Sequence, residues 1–137
     1  MILVDTGPLV ALFDPKDNQH ERCVEVLETI REPVSTTVPV LTEAFHMLQP
    51  ASIGSNRLRD FVENGGLSVW FFDRTTLRRA FELMESYADH PMDLADASLI
   101  AAAEALATRR IFTIDRSDFE TYRVRRGHRY HSVQIVS

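Results

Sequence analysis

Short strand-like runs alternate along this chain with longer stretches in which apolar residues recur every three or four positions. That change of rhythm restricts the fold more than any other feature of the sequence. Met1–Val4, Val34–Thr37, Leu67–Phe72, Ile111–Ile114 and Val133–Val136 have strand length and are rich in β-branched and aromatic residues. Between them lie helical patterns. Gly7–Phe13 starts a short helix, and Asn18–Arg31 places Cys23, Val26, Leu27 and Ile30 at helical spacing before Pro33 stops it. Pro39 opens a helix striped by Leu41, Ala44, Phe45 and Leu48 and closed by Pro50. Ser55–Asn64 ends at Gly65-Gly66, and Thr76–Tyr87 is helical through Leu77, Phe81, Leu83 and Met84. Leu94–Ala107 is apolar nearly all round, which predicts deep burial. Strands alternating with helices predict an α/β fold with a parallel sheet, helices on both faces and right-handed crossovers. No repeat, low-complexity tract or linker interrupts the pattern, so residues 1–137 are read as one domain.

Hydrophobic residues make up 45% of the chain, enough for a real core. No segment approaches the ~20 apolar residues needed to span a bilayer. Asp5, Gly7 and Pro8 interrupt the N-terminal apolar run too early for a secretory signal. The single cysteine, Cys23, excludes an intramolecular disulfide and fits a reducing cytoplasm, where its apolar neighbours mark it as a core residue. The expected compartment is the cytoplasm, with no membrane partner.

Two strands run into aspartate, β-like Ile2-Leu3-Val4 into Asp5 and Ile111-Phe112-Thr113-Ile114 into Asp115. Ligands of open α/β sheets bind outside the carboxyl ends of strands, where strand order reverses, so both acids stand where a site would be built. Each is equally explained as a turn or helix cap, and Asp73 is read as only that. Asp96 is more informative, because it sits near the start of the apolar Leu94–Ala107 helix, where an unpartnered carboxylate is costly. Asp93 is expected to cap that helix, leaving Asp96 to serve the helix dipole and still point into a pocket. Glu43 lies inside the helix between the two prolines and alone would be a surface acid. Asp118 follows Asp115 by three residues, so a turn can bring both carboxylates to one side, or Asp118 can cap the next helical turn.

Grouped carboxylates imply a cation. At about 6 Å and an effective dielectric near 20, two unit charges repel by roughly 2–3 kcal/mol. Several such pairs would raise one another's pKa and take up protons unless a cation neutralised them. All-oxygen donors favour Mg2+ or Mn2+ over zinc, and the five histidines show no zinc-ligand spacing. Other motifs are weak. Val4-Asp5-Thr6-Gly7 matches an aspartic-protease signature, but a helix follows it. A phosphoacceptor domain needs a lysine on a later strand, and the only lysine, Lys16, lies in a loop. There is no GxxxxGK[ST], GxGxxG or GxSxG.

With these residues in view, the chain resembles the PIN-domain ribonucleases, and among them the VapC-like toxins and related stand-alone PIN nucleases. The resemblance runs through Ile2-Leu3-Val4-Asp5-Thr6-Gly7, Val40-Leu41-Thr42-Glu43-Ala44, Asp93-Leu94-Ala95-Asp96-Ala97 and Phe112-Thr113-Ile114-Asp115-Arg116-Ser117-Asp118-Phe119, in the family's order. It implies a three-layer α/β/α sandwich with a central parallel sheet and metal-dependent hydrolysis of RNA phosphodiesters, leaving 5′-phosphate and 3′-hydroxyl ends. Asp5, Glu43, Asp96 and Asp115 would be the catalytic acids. Asp5, Asp96, Asp115 and Asp118 would be metal ligands, with Thr6 and Thr113 in support. A resembling toxin would be a homodimer restrained by a small antitoxin whose segment occupies the acidic groove. The alternatives are a non-catalytic PIN-fold module binding RNA or protein, and a metal-dependent phosphatase or phosphoacceptor.

The formal net charge of −5 does not exclude an RNA substrate. Setting aside Asp5, Glu43, Asp96, Asp115 and Asp118 leaves 15 acids against 15 basic residues, so the acidity is local. Arginine binds phosphate in a forked, bidentate geometry, and Arg109, Arg110, Arg116, Arg123, Arg125, Arg126 and Arg129 are concentrated near the C-terminus. Arg116, Arg123, Arg125 and Arg126 are expected to contact RNA phosphates near the acidic pocket. An ordinary solvated face explains them equally.

Overall fold

The computed structural model describes residues 1–137. In chain order the elements are β1 (Ile2–Val4), α1 (Thr6–Phe13), α2 (His20–Thr29), β2 (Val34–Thr37), α3 (Val38–Leu48), α4 (Ile53–Glu63), β3 (Ser68–Trp70), α5 (Arg74–Ser86) and α6 (Leu94–Ala105). They continue with β4 (Arg110–Phe112), α7 (Arg116–Thr121), β5 (Arg123–Arg126), β6 (Arg129–Ser132) and β7 (Gln134–Val136). Five strands form one sheet in the order β3-β2-β1-β4-β7, and every pairing in it is parallel. Helices flank this sheet, giving the expected α/β/α sandwich.

The strand order fixes where a site can lie. From β1 the chain steps outward through β2 to β3, then crosses back to place β4 on the other side of β1. The direction of winding therefore reverses between β1 and β4. A crevice opens there beyond the strands' carboxyl ends, because the helices following the two strands depart to different sides.

Burial follows the patterning. Ile2, Leu3, Val4, Ile111 and Phe112 are essentially inaccessible in the central strands. Helix α6 buries Ala95, Ala97, Leu99, Ile100, Ala101, Ala102 and Ala103, so its small residues let neighbouring elements approach closely. It packs against α5, α3 and the β5 strand. Cys23 is fully buried, as a core residue should be. Ser52, Asp73 and Asp93 each cap a helix by accepting a backbone N–H, and Asp73 forms a reciprocal box with Thr76. Pro39 stands in the first turn of α3. No helix is long and apolar enough to cross a membrane.

Two features depart from the sequence expectation. Strand β4 ends at Phe112 rather than Ile114, so Asp115 is not at the strand's end but caps α7 two residues beyond Thr113. The second is an antiparallel hairpin, β5–β6, outside the main sheet. Val124 is its one deeply buried side chain, so it lacks the alternating apolar pattern that marks a half-buried strand. Its two-residue loop carries Gly127 at φ +63° in the first position, the conformation of a type II′ turn.

Candidate active site

The crevice at the winding reversal is a cleft of about 380 Å³, lined by Asp5, Thr6, Glu43, Asp93, Asp96, Asp115 and Asp118, with Gly7, His46, Met47 and Ile114 completing its wall. The acids arrive from separate parts of the chain: β1's exit, α3, the first turn of α6, and the first turn of α7. All four expected catalytic acids and Asp118 therefore share one cavity.

Each acid is held by a specific donor. Asp5 is 7% exposed. Its backbone N–H reaches the Phe112 carbonyl at 2.9 Å, tying β1's exit to β4. One carboxylate oxygen accepts Thr6 N–H at 2.8 Å and the other accepts the Thr113 hydroxyl at 2.8 Å. The Thr113 oxygen also accepts Asp115 N–H at 3.0 Å. Thr6 donates its hydroxyl to Glu43 Oε1 at 2.9 Å, connecting α1 to α3. Both threonines thus bind the acids themselves. Asp115 Oδ1 accepts Asp118 N–H at 3.1 Å.

Two partners were not singled out from the sequence. Tyr122, fully buried, donates its hydroxyl to Asp96 Oδ2 at 2.8 Å. His90 Nε2 lies 2.7 Å from Asp118 Oδ1, with its ring edge-to-face against Tyr122. Phe119 and Tyr87 pack edge-to-face on the same tyrosine. Tyr122 lies in the segment between α7 and β5 that carried no motif, and His90 lies in the loop before α6. A tyrosine three residues beyond an apolar Phe119 was the only signal for the first.

The electrostatics match clustered acids in a partly dry cleft. Burial raises the Asp5 carboxyl to about 6 against the opposing bonds from Thr113 and Thr6, with Asp115 and Glu43 pushing it further up. Asp96 rises to about 7, first through burial, then through the charges of Asp5 and Asp93; the Tyr122 bond opposes this. Burial and the hydrogen bond with Asp118 raise Asp115, while the same contact and His90 lower Asp118. Tyr122 is raised by burial and by Asp96, so it stays a hydroxyl donor.

The donor set, carboxylate oxygens alone, suits a hard divalent cation. As placed, no three of the acids converge closely enough to hold one. Their oxygens are instead held at the walls by Thr6, Thr113, Tyr122 and His90.

The four arginines expected beside the pocket are distributed otherwise. Arg116 pairs with Glu120 at 3.4 Å and donates to Ser137 Oγ at 3.0 Å. Arg123 Nη1 donates to the carbonyls of Glu120, Thr121 and Tyr122, closing the end of α7. Arg125 and Arg126 lie on the β5–β6 hairpin and make no ion pair.

This architecture, with acids gathered at the winding reversal of a five-stranded parallel sheet, is that of a PIN-type domain. The sequence profile of the PIN domain matches residues 2–124, and the chain belongs to that family. It is 23% identical over 133 residues to ribonuclease VapC26 of Mycobacterium tuberculosis, covering 94% of this chain and 97% of the relative. Among solved structures, it is similar to VapC20 of M. tuberculosis, a sarcin–ricin-loop-cleaving toxin, with a TM-score of 0.78 at 17% identity over 85% of this chain and 91% of the other. A toxin–antitoxin complex from Klebsiella pneumoniae superposes with a TM-score of 0.69 at 18% identity over 88% and 92% of the two chains.

Proposed function

We propose that this protein is a divalent-metal-dependent ribonuclease, and the toxin of a toxin–antitoxin pair. The observation that supports it is the meeting of Asp5, Glu43, Asp96, Asp115 and Asp118 in one cleft at the winding reversal. The ribonuclease name of the M. tuberculosis relative, which is matched over nearly its whole length, points the same way. Mg2+ or Mn2+ would be held by Asp5, Asp96, Asp115 and Asp118. When bound, such an ion offsets the clustered charge, positions a phosphate and lowers the pKa of a water.

The chain's own residues have separable tasks in this proposal. Thr113 and the Thr6 N–H fix the Asp5 carboxylate in one orientation, so no rotamer search accompanies ligand binding. Thr6 holds Glu43 through Oε1 and leaves Oε2 without a protein partner, free to accept a proton from the attacking water. Tyr122 and His90 orient Asp96 and Asp118. Ligation requires some of these oxygens to exchange a protein donor for the cation.

A structural neighbour that is a toxin–antitoxin complex supports an antitoxin partner for this chain, and a homodimer is carried over only from the resemblance to such toxins. A single buried thiol supports a cytoplasmic setting.

The test is cleavage of a pool of structured RNAs by purified protein, in magnesium or manganese against EDTA, beside an Asp5→Asn/Asp96→Asn double variant. Cleavage that needs metal and disappears in the variant is the expected result. Equal inertness of both proteins under every metal, with no copurified antitoxin, would replace the enzyme with a PIN-fold binding module.

A further inference from the structure

We infer that the β5–β6 hairpin is a second RNA contact, a basic track that grips a single-stranded segment leading away from the cleft. It deepens the proposed ribonuclease function and rests on RNA being what the cleft takes.

The position of the hairpin carries the first part of the case. Strand β5 follows directly on Tyr122, whose hydroxyl touches Asp96 at the cleft. It then runs along α6, and the Arg125 N–H reaches Glu104 Oε2 at 2.9 Å. Asp96 and Glu104 are eight residues apart on α6, a rise of about 12 Å. That distance corresponds to about four stacked nucleotides of one strand. The ribbon thus starts at the acids and points away from them.

Its composition carries the second. Residues 123–132 hold Arg123, Arg125, Arg126, Arg129, His128 and His131, and no acid follows Glu120 anywhere in the chain. This occurs in a protein of net charge −5. Arg125, Arg126 and Arg129 make no ion pair and no side-chain hydrogen bond to the protein. The hairpin is anchored without them: Val124 is buried, and Glu104 receives the backbone of Arg125 while Arg79 clasps the same carboxylate at 2.7 and 3.0 Å.

Cross-strand register carries the third. Arg126 stands directly opposite Arg129, a like-charge pairing that weakens a sheet. Arg125 stands opposite Tyr130, which is 63% exposed. Opposed residues share a face, so an exposed aromatic ring and a free guanidinium lie side by side in solvent. Neither pairing serves the fold. Arg125 and Tyr130 provide what an unpaired nucleotide needs, a cation for its phosphate and a flat surface for its base, and Arg126 and Arg129, on the ribbon's other face beside its turn, add cations where the RNA strand passes the hairpin's end. Arg123, committed to the carbonyls of α7, is outside this set.

The experiment is fluorescence anisotropy of a labelled twelve-nucleotide single-stranded RNA with the full chain in EDTA, so that binding is read without cleavage. An Arg125→Gln/Arg126→Gln/Arg129→Gln variant is expected to bind about tenfold or more weakly at ~0.1 M salt. Its log–log salt slope should fall by about 2, from roughly 0.7 per lost phosphate contact. Tyr130→Ala should lose about fivefold or more with the slope unchanged. The arginine variant should melt at the same temperature as the parent or higher, since it removes the Arg126–Arg129 repulsion. An unchanged affinity and slope would overturn the inference, as would the absence of RNA binding by the parent chain. So would a variant that keeps RNA but loses a poly-glutamate peptide, which would make the hairpin a protein-docking surface. Failure of the ribonuclease proposal would show separately, as absent cleavage in metal with RNA binding intact.

Discussion

Replacing Asp5 by Asn should stabilise the metal-free protein at neutral pH, because its carboxylate is ionised where ionisation is disfavoured. The folded carboxyl titrates at about 6 against an ordinary value of 3.8. The folded chain therefore binds more protons than the unfolded chain between those values, and stability falls as pH rises through the window. A shift of this size is worth about 3 kcal/mol at pH 8, and nothing below about pH 4. Asn cannot satisfy Thr113 as an acceptor in the same way, which costs about 1 kcal/mol at any pH. The net gain at pH 8 is then about 2 kcal/mol, a rise in Tm of roughly 6–8 °C for a chain of this size. Thermal unfolding followed by far-UV circular dichroism in EDTA, at pH 4 and pH 8, measures it. The variant should be equal to or slightly less stable than the parent at pH 4 and clearly more stable at pH 8. Manganese should narrow the pH 8 difference by stabilising the parent alone. A variant less stable than the parent at pH 8 in EDTA, or a gain equal at both pH values, would refute the electrostatic origin of the shift.

Two further substitutions separate chemistry from packing. Tyr122→Phe removes the hydroxyl that lowers the Asp96 carboxyl, so Asp96 should titrate above its present value of about 7, and the rise of RNA cleavage with pH should move to higher pH; an unmoved pH–rate profile would remove Tyr122 from the site. Gly54→Ala places a Cβ 2.5 Å from the Phe13 carbonyl oxygen, so α4 must back away from the end of α1 at a cost of about 1–3 kcal/mol. Its fall in Tm should be the same with and without manganese, because Phe13 lies at the far end of α1 from Thr6, and a metal-dependent difference would contradict that separation.

The elements that could be read from the sequence were those whose apolar spacing is imposed by burial. Strands β1 and β2, the Pro39-initiated α3 and the all-apolar α6 follow directly from periodicity, and the Asp93 cap follows from its place before α6. The position of Asp5 was legible because a strand that must be buried stops abruptly at a carboxylate. The exit of β4 was less so: Thr113 and Ile114 have strand-like side chains, but Thr113 turns its hydroxyl to Asp5 and ends the ladder at Phe112. The hairpin was missed because only Val124 buries deeply, leaving no alternation to detect. Tyr122 and His90 were missed because their roles depend on contacts between segments 26 to 28 residues apart, which no local pattern encodes.

The acids divide by what holds them, and the division explains why they share a cleft without converging. Asp5 and Glu43 are held by threonine hydroxyls whose positions are set by β1's exit and the segment after β4, near the rigid centre of the sheet. Asp96 and Asp118 are held by Tyr122 and His90, which belong to segments packed around α6 and α7. Without a cation, each pair of charges brought together would repel by roughly 2–3 kcal/mol at ~6 Å. The hydroxyls of Thr6, Thr113 and Tyr122 offset that repulsion by giving Glu43, Asp5 and Asp96 partners at the walls, worth about 1 kcal/mol or more apiece, while Asp118 is held by the His90 ring and bonds Asp115. A cation at the centre would reverse the balance, and the acids with the most accessible alternatives would move first. Those are Asp115 and Asp118, in the exposed first turn of α7, whereas Asp5 is fixed from both oxygens. Metal binding in this protein should therefore be felt most in α7 and least in β1, which amide hydrogen exchange with and without manganese would resolve by segment.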